Sequence, residues 1–222
     1  MKTDEFIKMV TESATPEFFK RNYSEIRYTV VGYEYLKEIY NRPNHNSASD
    51  SYFQLIFRLF YAMRYVSQRF ATHFFAKMDE IRQKIGIKEL DAVQITKDLE
   101  KAAENGFQFS FVTKMLNLEN DTLYPIYDSN VTLMFDFPNL KPDNKEKQYR
   151  ERYQTIQQCY AALRKDNRTQ EIINEFKATF HTNLSDLRIL DIIVWSLGKD
   201  MEKQNKILND SITKKQKIQK IV

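Results

Sequence analysis

Glycine and proline are scarce in this chain, with 4 and 5 copies among 222 residues. Sandwiches and barrels need many tight turns built on those two residues, so their scarcity points to an all-α protein. A single cysteine, Cys159, excludes an internal disulfide framework and fits a reducing compartment. The three histidines, His45, His73 and His181, stand far apart in the sequence. None has a metal-ligand spacing to Cys159 or to a nearby carboxylate, so no zinc site is expected. Neither GxxxxGK[ST] nor GxGxxG occurs, which leaves no case for a nucleotide, and no cofactor is expected. No apolar run reaches the roughly 18 residues that a membrane-spanning helix needs, so no membrane partner is expected. The opening MKTDEFIKMV is charged and lacks the apolar stretch of a signal peptide, and the expected location is cytoplasmic.

The charge that is present is unevenly placed. The net charge is +4, and the stretch 199–222 alone holds seven lysines against three acidic residues. Taking these from the 34 basic and 30 acidic residues leaves 27 of each, so residues 1–198 are neutral. Nucleic-acid binders are usually basic over a face or over the whole domain. A basic face on this body would have to come from segregating its charges. The organisation read from composition is therefore a helical domain over 1–198 followed by a lysine-rich helical tail over 199–222.

Hydrophobic periodicity predicts a series of helices. Pro16 suits the first turn of a segment reaching Tyr40, because its missing N–H needs no partner there. The stretch NRPNHNSASDS, 41–51, is polar and rich in breakers, and reads as a loop. Beyond it, Leu55, Leu59, Ala62, Met63, Val66 and Phe70 recur at helical spacing and predict one long central buried helix, ended or kinked at Gly86. A further helix is expected over Glu89 to Glu104, stopped by Asn105-Gly106. Near the C-terminal end, Arg188, Asp191 and Trp195 share a helix face. The expectation there is an Arg188–Asp191 pair with Trp195 packed inward.

The stretch FSFVTKMLNLENDTLYPIYDSNVTLMF, 109–135, carries the most chemistry. It reads as a helix bearing Lys114, a short connection, and Asp128 opening the next helix. Ser110 lies one turn from Lys114 on the same face. Pro125 biases Tyr124 toward extended backbone. An amine and a carboxylate brought together this way serve as nucleophile and assisting base. They serve equally well as a structural ion pair and a helix cap, the cap being worth roughly 1 kcal/mol.

Pro125-Ile126-Tyr127-Asp128-Ser129-Asn130-Val131 resembles the P-[IV]-x-D-x-x-V motif of the helix-hairpin-helix DNA glycosylases, the superfamily of 8-oxoguanine and adenine glycosylases. Phe111-Val112-Thr113-Lys114-Met115-Leu116 is similar to the lysine-bearing helix of its 8-oxoguanine branch. The segment from Leu187 to Lys199 looks like the closing helix of bacterial proteins with that fold. The resemblance implies a helical bundle of the glycosylase type, double-stranded DNA as partner, and excision of a damaged base. Lys114 would be the amine nucleophile and Asp128 the carboxylate assisting it. Phe107, Phe109 and Tyr127 would stack on the extruded base, with Ser110 beside it in the substrate site. Where that family places a G-x-G turn to hold a DNA phosphate, this chain has Asn105-Gly106-Phe107-Gln108. The alternative from a different class is a catalytically inactive scaffold or interaction protein that keeps the same fold.

Overall fold

A computed structural model describes residues 2–63, 66–84, 90–104 and 106–219. Its described residues form eleven α-helices and one short 3₁₀ turn, with no strand. The helices are α1 (Thr3–Ser13), α2 (Pro16–Arg21), α3 (Tyr23–Tyr40), α4 (Ser51–Phe60), α5 (Gln68–Arg82) and α6 (Ala92–Ala103). They continue as α7 (Phe109–Glu119), α8 (Ser129–Met134), α9 (Lys145–Leu163), α10 (Asn167–Phe180) and α11 (Asp186–Gln219). No helix among the described residues is long and apolar enough to cross a membrane.

Local chemistry sets most of the helix starts. Side chains of Thr15, Asp50, Ser67, Asp91, Asp128 and Asp166 each accept a hydrogen bond from a free N–H in the first turn that follows. Pro16 stands at the first position of α2, where no intrahelical donor is lost. The core is unusually aromatic. Phe6, Phe19, Phe53, Phe57, Phe70, Phe74, Phe75, Phe109 and Phe176 are all fully or almost fully buried. Their edge-to-face and stacked contacts link the helices across the bundle, as in the Phe57–Phe75 and Phe19–Phe176 pairs.

The long central helix predicted from periodicity is two helices. α4 ends in a tight cap in which Ala62 adopts a left-handed conformation with φ 53°. The Met63 N–H donates to the Arg58 carbonyl and that of Ala62 to the Leu59 carbonyl, closing the last turn back on itself. Ser67 then opens α5. The buried stripe of α4 is Phe53 and Phe57, whereas Leu55 and Leu59 are 54% and 60% exposed. The spacing was shared by two faces, and the larger rings took the core. Gly86, Glu89 and Asn105 lie outside the described residues. The helix expected over Glu89 to Glu104 runs over Ala92–Ala103, and Glu104 makes the left-handed turn at its end.

Three elements position the centre of the molecule. α6 and α7 form a helical hairpin, the extended segment 120–128 leads from α7 into α8, and α8 lies against α11. Gly198 allows that last contact, because a Cβ there would sit 2.0 Å from the carbonyl oxygen of Asn130. The backbone of α11 continues without a break through 198 and 199 to Gln219, so the lysine-rich stretch extends the helix that closes the bundle.

Candidate active site

Asn117 is the hub from which the site is built. It is fully buried on α7 between Leu116 and Leu118. Its Nδ2 donates to the Tyr124 carbonyl (2.8 Å) and to Asp191 Oδ2 (2.9 Å), and its own carbonyl accepts from the Tyr33 hydroxyl (3.1 Å). Asp191 on α11 takes a second bond at Oδ1 from the Ile126 N–H (3.0 Å). Thr113, also on α7, accepts from the Tyr127 N–H (3.0 Å). The segment 124–127 is therefore tied to two helices at once, and that fixes where Asp128 emerges. Each of these buried bonds costs about 1–3 kcal/mol to leave unmade, so the arrangement is tightly specified.

A cavity of about 800 Å³ opens beside this hub. Lys114 and Asp128 both line it, with Ser110, Arg188, Asp191 and Lys199 supplying the other polar groups that matter to its chemistry. Its apolar wall comes from Phe60, Tyr61, Phe111, Ile126, Ile192 and Trp195. A volume in this range takes a small organic ligand or a single nucleobase.

Lys114 is recessed in that wall. Its Nζ donates to Ser110 Oγ at 3.1 Å and lies 5.4 Å and 5.7 Å from the ring centres of Phe111 and Tyr61. Burial pulls its pKa below the ordinary lysine value; the Asp128 charge opposes that shift and the Arg188 charge adds to it. Asp128 Oδ1 caps α8 by accepting from the Val131 N–H at 3.0 Å. The expected cap is thus present, but Lys114 and Asp128 form no ion pair. The two groups face a shared space without closing it. Tyr61 has its hydroxyl buried without a protein partner, and burial pushes its pKa up to about 12.

The predicted base-stacking rings are elsewhere. Phe107, Phe109 and Tyr127 are buried and do not line the cavity. They pack with Tyr149 and Tyr153 of α9 in one aromatic cluster, with Phe109 at 5.2 Å from Tyr127 and 4.8 Å from Tyr149. The aromatic rings that line the cavity are Tyr28, Phe60, Tyr61, Phe111 and Trp195. Ser110 does reach the cavity, as the partner of Lys114.

The expected Arg188–Asp191 pair is only partial. Arg188 Nη1 stands 4.0 Å from Asp191 Oδ2, which is charge proximity without a hydrogen bond. Asp191 is 2% exposed, and its burial, partly offset by Arg188, pushes its pKa up to about 8. Trp195 is half-buried and forms cavity wall, with the Lys199 Nζ 5.0 Å above its ring. Lys199 also pairs with Glu25 of α3. Among the described residues no group of three His, Cys, Asp or Glu side chains is arranged to hold a metal ion.

A family model described as a family of unknown function (DUF6308) matches residues 62–198, more than half of the chain. The chain belongs to that family. No curated protein and no solved structure matches it. The matched segment holds Lys114, Asp128, Arg188 and Asp191, and begins at the left-handed Ala62 on the cavity rim. Glu25, Tyr28 and Thr29 of α3, Phe60 and Tyr61 at the end of α4, and Lys199 line the cavity from outside that segment.

Asn117 and the α3 side of the cavity were missed in the sequence. Asn117 left a signal, a lone amide in the apolar run MLNL. Glu25, Tyr28 and Thr29 left none, because their role depends on how α3 crosses α11.

Proposed function

We propose that the cavity is the base-excision pocket of a DNA glycosylase with lyase chemistry. One observation carries this reading: an amine from α7 and a carboxylate from the start of α8 open onto one cavity large enough for an extruded base. The helical hairpin α6–α7 ahead of Lys114 and the P-I-x-D-x-x-V stretch entering α8 support it.

In this reading the extruded nucleotide enters with its sugar toward Lys114. Removing a base from the stack costs a few kcal/mol, which contact with Trp195 and Phe111 would repay. Lys114, held toward its neutral form, attacks C1′ as the base departs with the bonding electron pair. Asp128 Oδ2, which has no hydrogen-bond partner among the described residues, stabilises the positive charge developing on the sugar. The C1′–O4′ bond then breaks, a proton from the Lys114 nitrogen passes to the ring oxygen as it becomes the C4′ hydroxyl, and an imine joins Lys114 to C1′ of the opened sugar. Loss of a C2′ proton from that imine eliminates the 3′ phosphate.

A second reading, an inactive scaffold with the same fold, is favoured by the hairpin turn. Phe107 there is packed into the core beside Tyr149, and the turn lacks the paired glycines that let backbone N–H groups approach a phosphate. Borohydride trapping on a duplex bearing an abasic site or 8-oxoguanine separates the two. The enzyme forms a covalent adduct that Lys114→Met abolishes. Absence of any Lys114-dependent adduct on the abasic duplex removes the lyase reading and leaves the scaffold.

A further inference from the structure

Arg188 is out of balance with its surroundings. It is 3% exposed, yet its side chain makes no hydrogen bond to any described residue. Its guanidinium lies 4.1 Å from the ring centre of Tyr33, which occupies one face. Nε is fully buried and unsatisfied. Among the described residues the one acidic group within 4.0 Å is Asp191, which stands at that limit with both oxygens already engaged by Ile126 and Asn117. A buried cation whose donors are unmatched is strongly disfavoured unless an acceptor meets it. The open side of Arg188 is the cavity.

The group that best matches a guanidinium edge is a carboxylate, through two parallel N–H···O bonds. The charges on this part of the cavity favour an anion. Arg188 lacks an acceptor, Asp191 has both oxygens taken by Asn117 and Ile126, Asp128 has one oxygen committed to its cap, and Glu25 is paired with Lys199 and Lys203. The same cavity carries a recessed amine and an apolar wall. A ligand that uses all three has a carboxylate, an adjacent carbonyl and an apolar substituent.

We propose that the cavity binds small 2-oxo acids, with Arg188 holding the carboxylate and Lys114 condensing with the neighbouring carbonyl. The amine nitrogen bonds to the carbonyl carbon. The two amine hydrogens then leave with the carbonyl oxygen as one water, and a C=N bond remains. The substituent rests against Phe111, Ile192 and Trp195. This inference shares the amine with the excision reading but requires no DNA.

The full chain, incubated separately with pyruvate and with phenylpyruvate and reduced with cyanoborohydride, tests it by intact mass and peptide mapping. The expected result is one adduct on Lys114. The carboxylate-free ketones acetone and phenylacetone should label it about tenfold less or weaker, the loss of a charge-assisted bond pair. Arg188→Met should bring the oxo-acid and ketone labelling rates of Lys114 to the same value. If Arg188→Met fails to fold, competition on the unaltered chain decides: phenyllactate should slow labelling and 1-phenyl-2-propanol should not. No adduct, labelling spread over surface lysines, or equal labelling by ketone and oxo acid overturns the proposal. Trapping on an abasic duplex is read separately, so a chain that passes that test and fails this one loses only the oxo-acid site.

Discussion

Gly198 faces the carbonyl of Asn130 at a separation that no side chain fits: a Cβ would stand 2.0 Å from the oxygen and 2.7 Å from its carbon. The obstacle is backbone, so α8 and α11 must part to admit even a methyl group. Gly198→Ala should lower stability by about 1–3 kcal/mol or more, the range for overpacking a filled site. Urea unfolding checks the midpoint shift. Because Asn130 follows Asp128 by two residues, adduct formation at Lys114 should fall as well.

The left-handed Ala62 leads to a gentler prediction. A residue with a Cβ in that conformation costs roughly 1–2 kcal/mol relative to the right-handed one. Ala62→Gly should therefore stabilise the chain by up to about 1 kcal/mol, after the extra freedom that glycine gives the unfolded chain. Ala62→Val should destabilise it, since a β-branched side chain tolerates positive φ least. Thermal and urea midpoints of the two variants should move in opposite directions.

Asp191 links stability to pH. Its folded pKa is raised to about 8, far above the roughly 3.9 of an unfolded aspartate. Between those values the folded chain holds a proton that the unfolded chain has released. The contribution to stability is complete below the lower value and is lost as pH climbs through the upper one. Glu119, also raised to about 8 by burial, acts in the same direction and window. Asp191→Asn should gain stability relative to the unaltered chain between about pH 5 and about pH 9, and Glu119→Gln should remove a further part of the slope. Unfolding midpoints that run parallel for variant and parent across that range contradict the assignment.

Lys114 carries the opposite sign. Its folded pKa is lowered, first by burial and then by Arg188 against the pull of Asp128, so folding releases a proton. The penalty for holding the charged amine is full below the folded pKa and fades as pH rises toward the unfolded value. Lys114→Met should stabilise the chain at acidic and neutral pH while abolishing every covalent adduct. In the unaltered chain, the trapping rate should rise with pH and level off below the ordinary lysine pKa. Stopped-time trapping across the alkaline range measures this.

The helical class was legible from the scarcity of breakers, and the helix starts at Pro16 and Asp128 from their own residues, because those effects are local. The juxtaposition of Lys114 with Asp128 was legible because only a short connection separates them. The break at Ala62 was hidden: alanine gives no turn signal, and the hydrophobic rhythm runs straight through it. Phe107, Phe109 and Tyr127 were expected at the substrate site, but their packing is decided by Tyr149 and Tyr153 on α9, which the local sequence does not show. Arg188 and Asp191 do share one face of α11, but they approach only to 4.0 Å. That Asn117 and Ile126 would take the carboxylate and leave the guanidinium unmatched depends on three separate elements meeting, which no pattern within one helix encodes.

The helix that ends the described chain has a mechanical meaning. At 1.5 Å per residue its 34 residues span about 51 Å. Arg188, Asp191, Trp195 and Lys199 all occupy its first half. Because one unbroken helix carries them, Arg188, Asp191, Trp195 and Lys199 reach the chamber from a single element, and their spacing along its wall is set by the helix repeat.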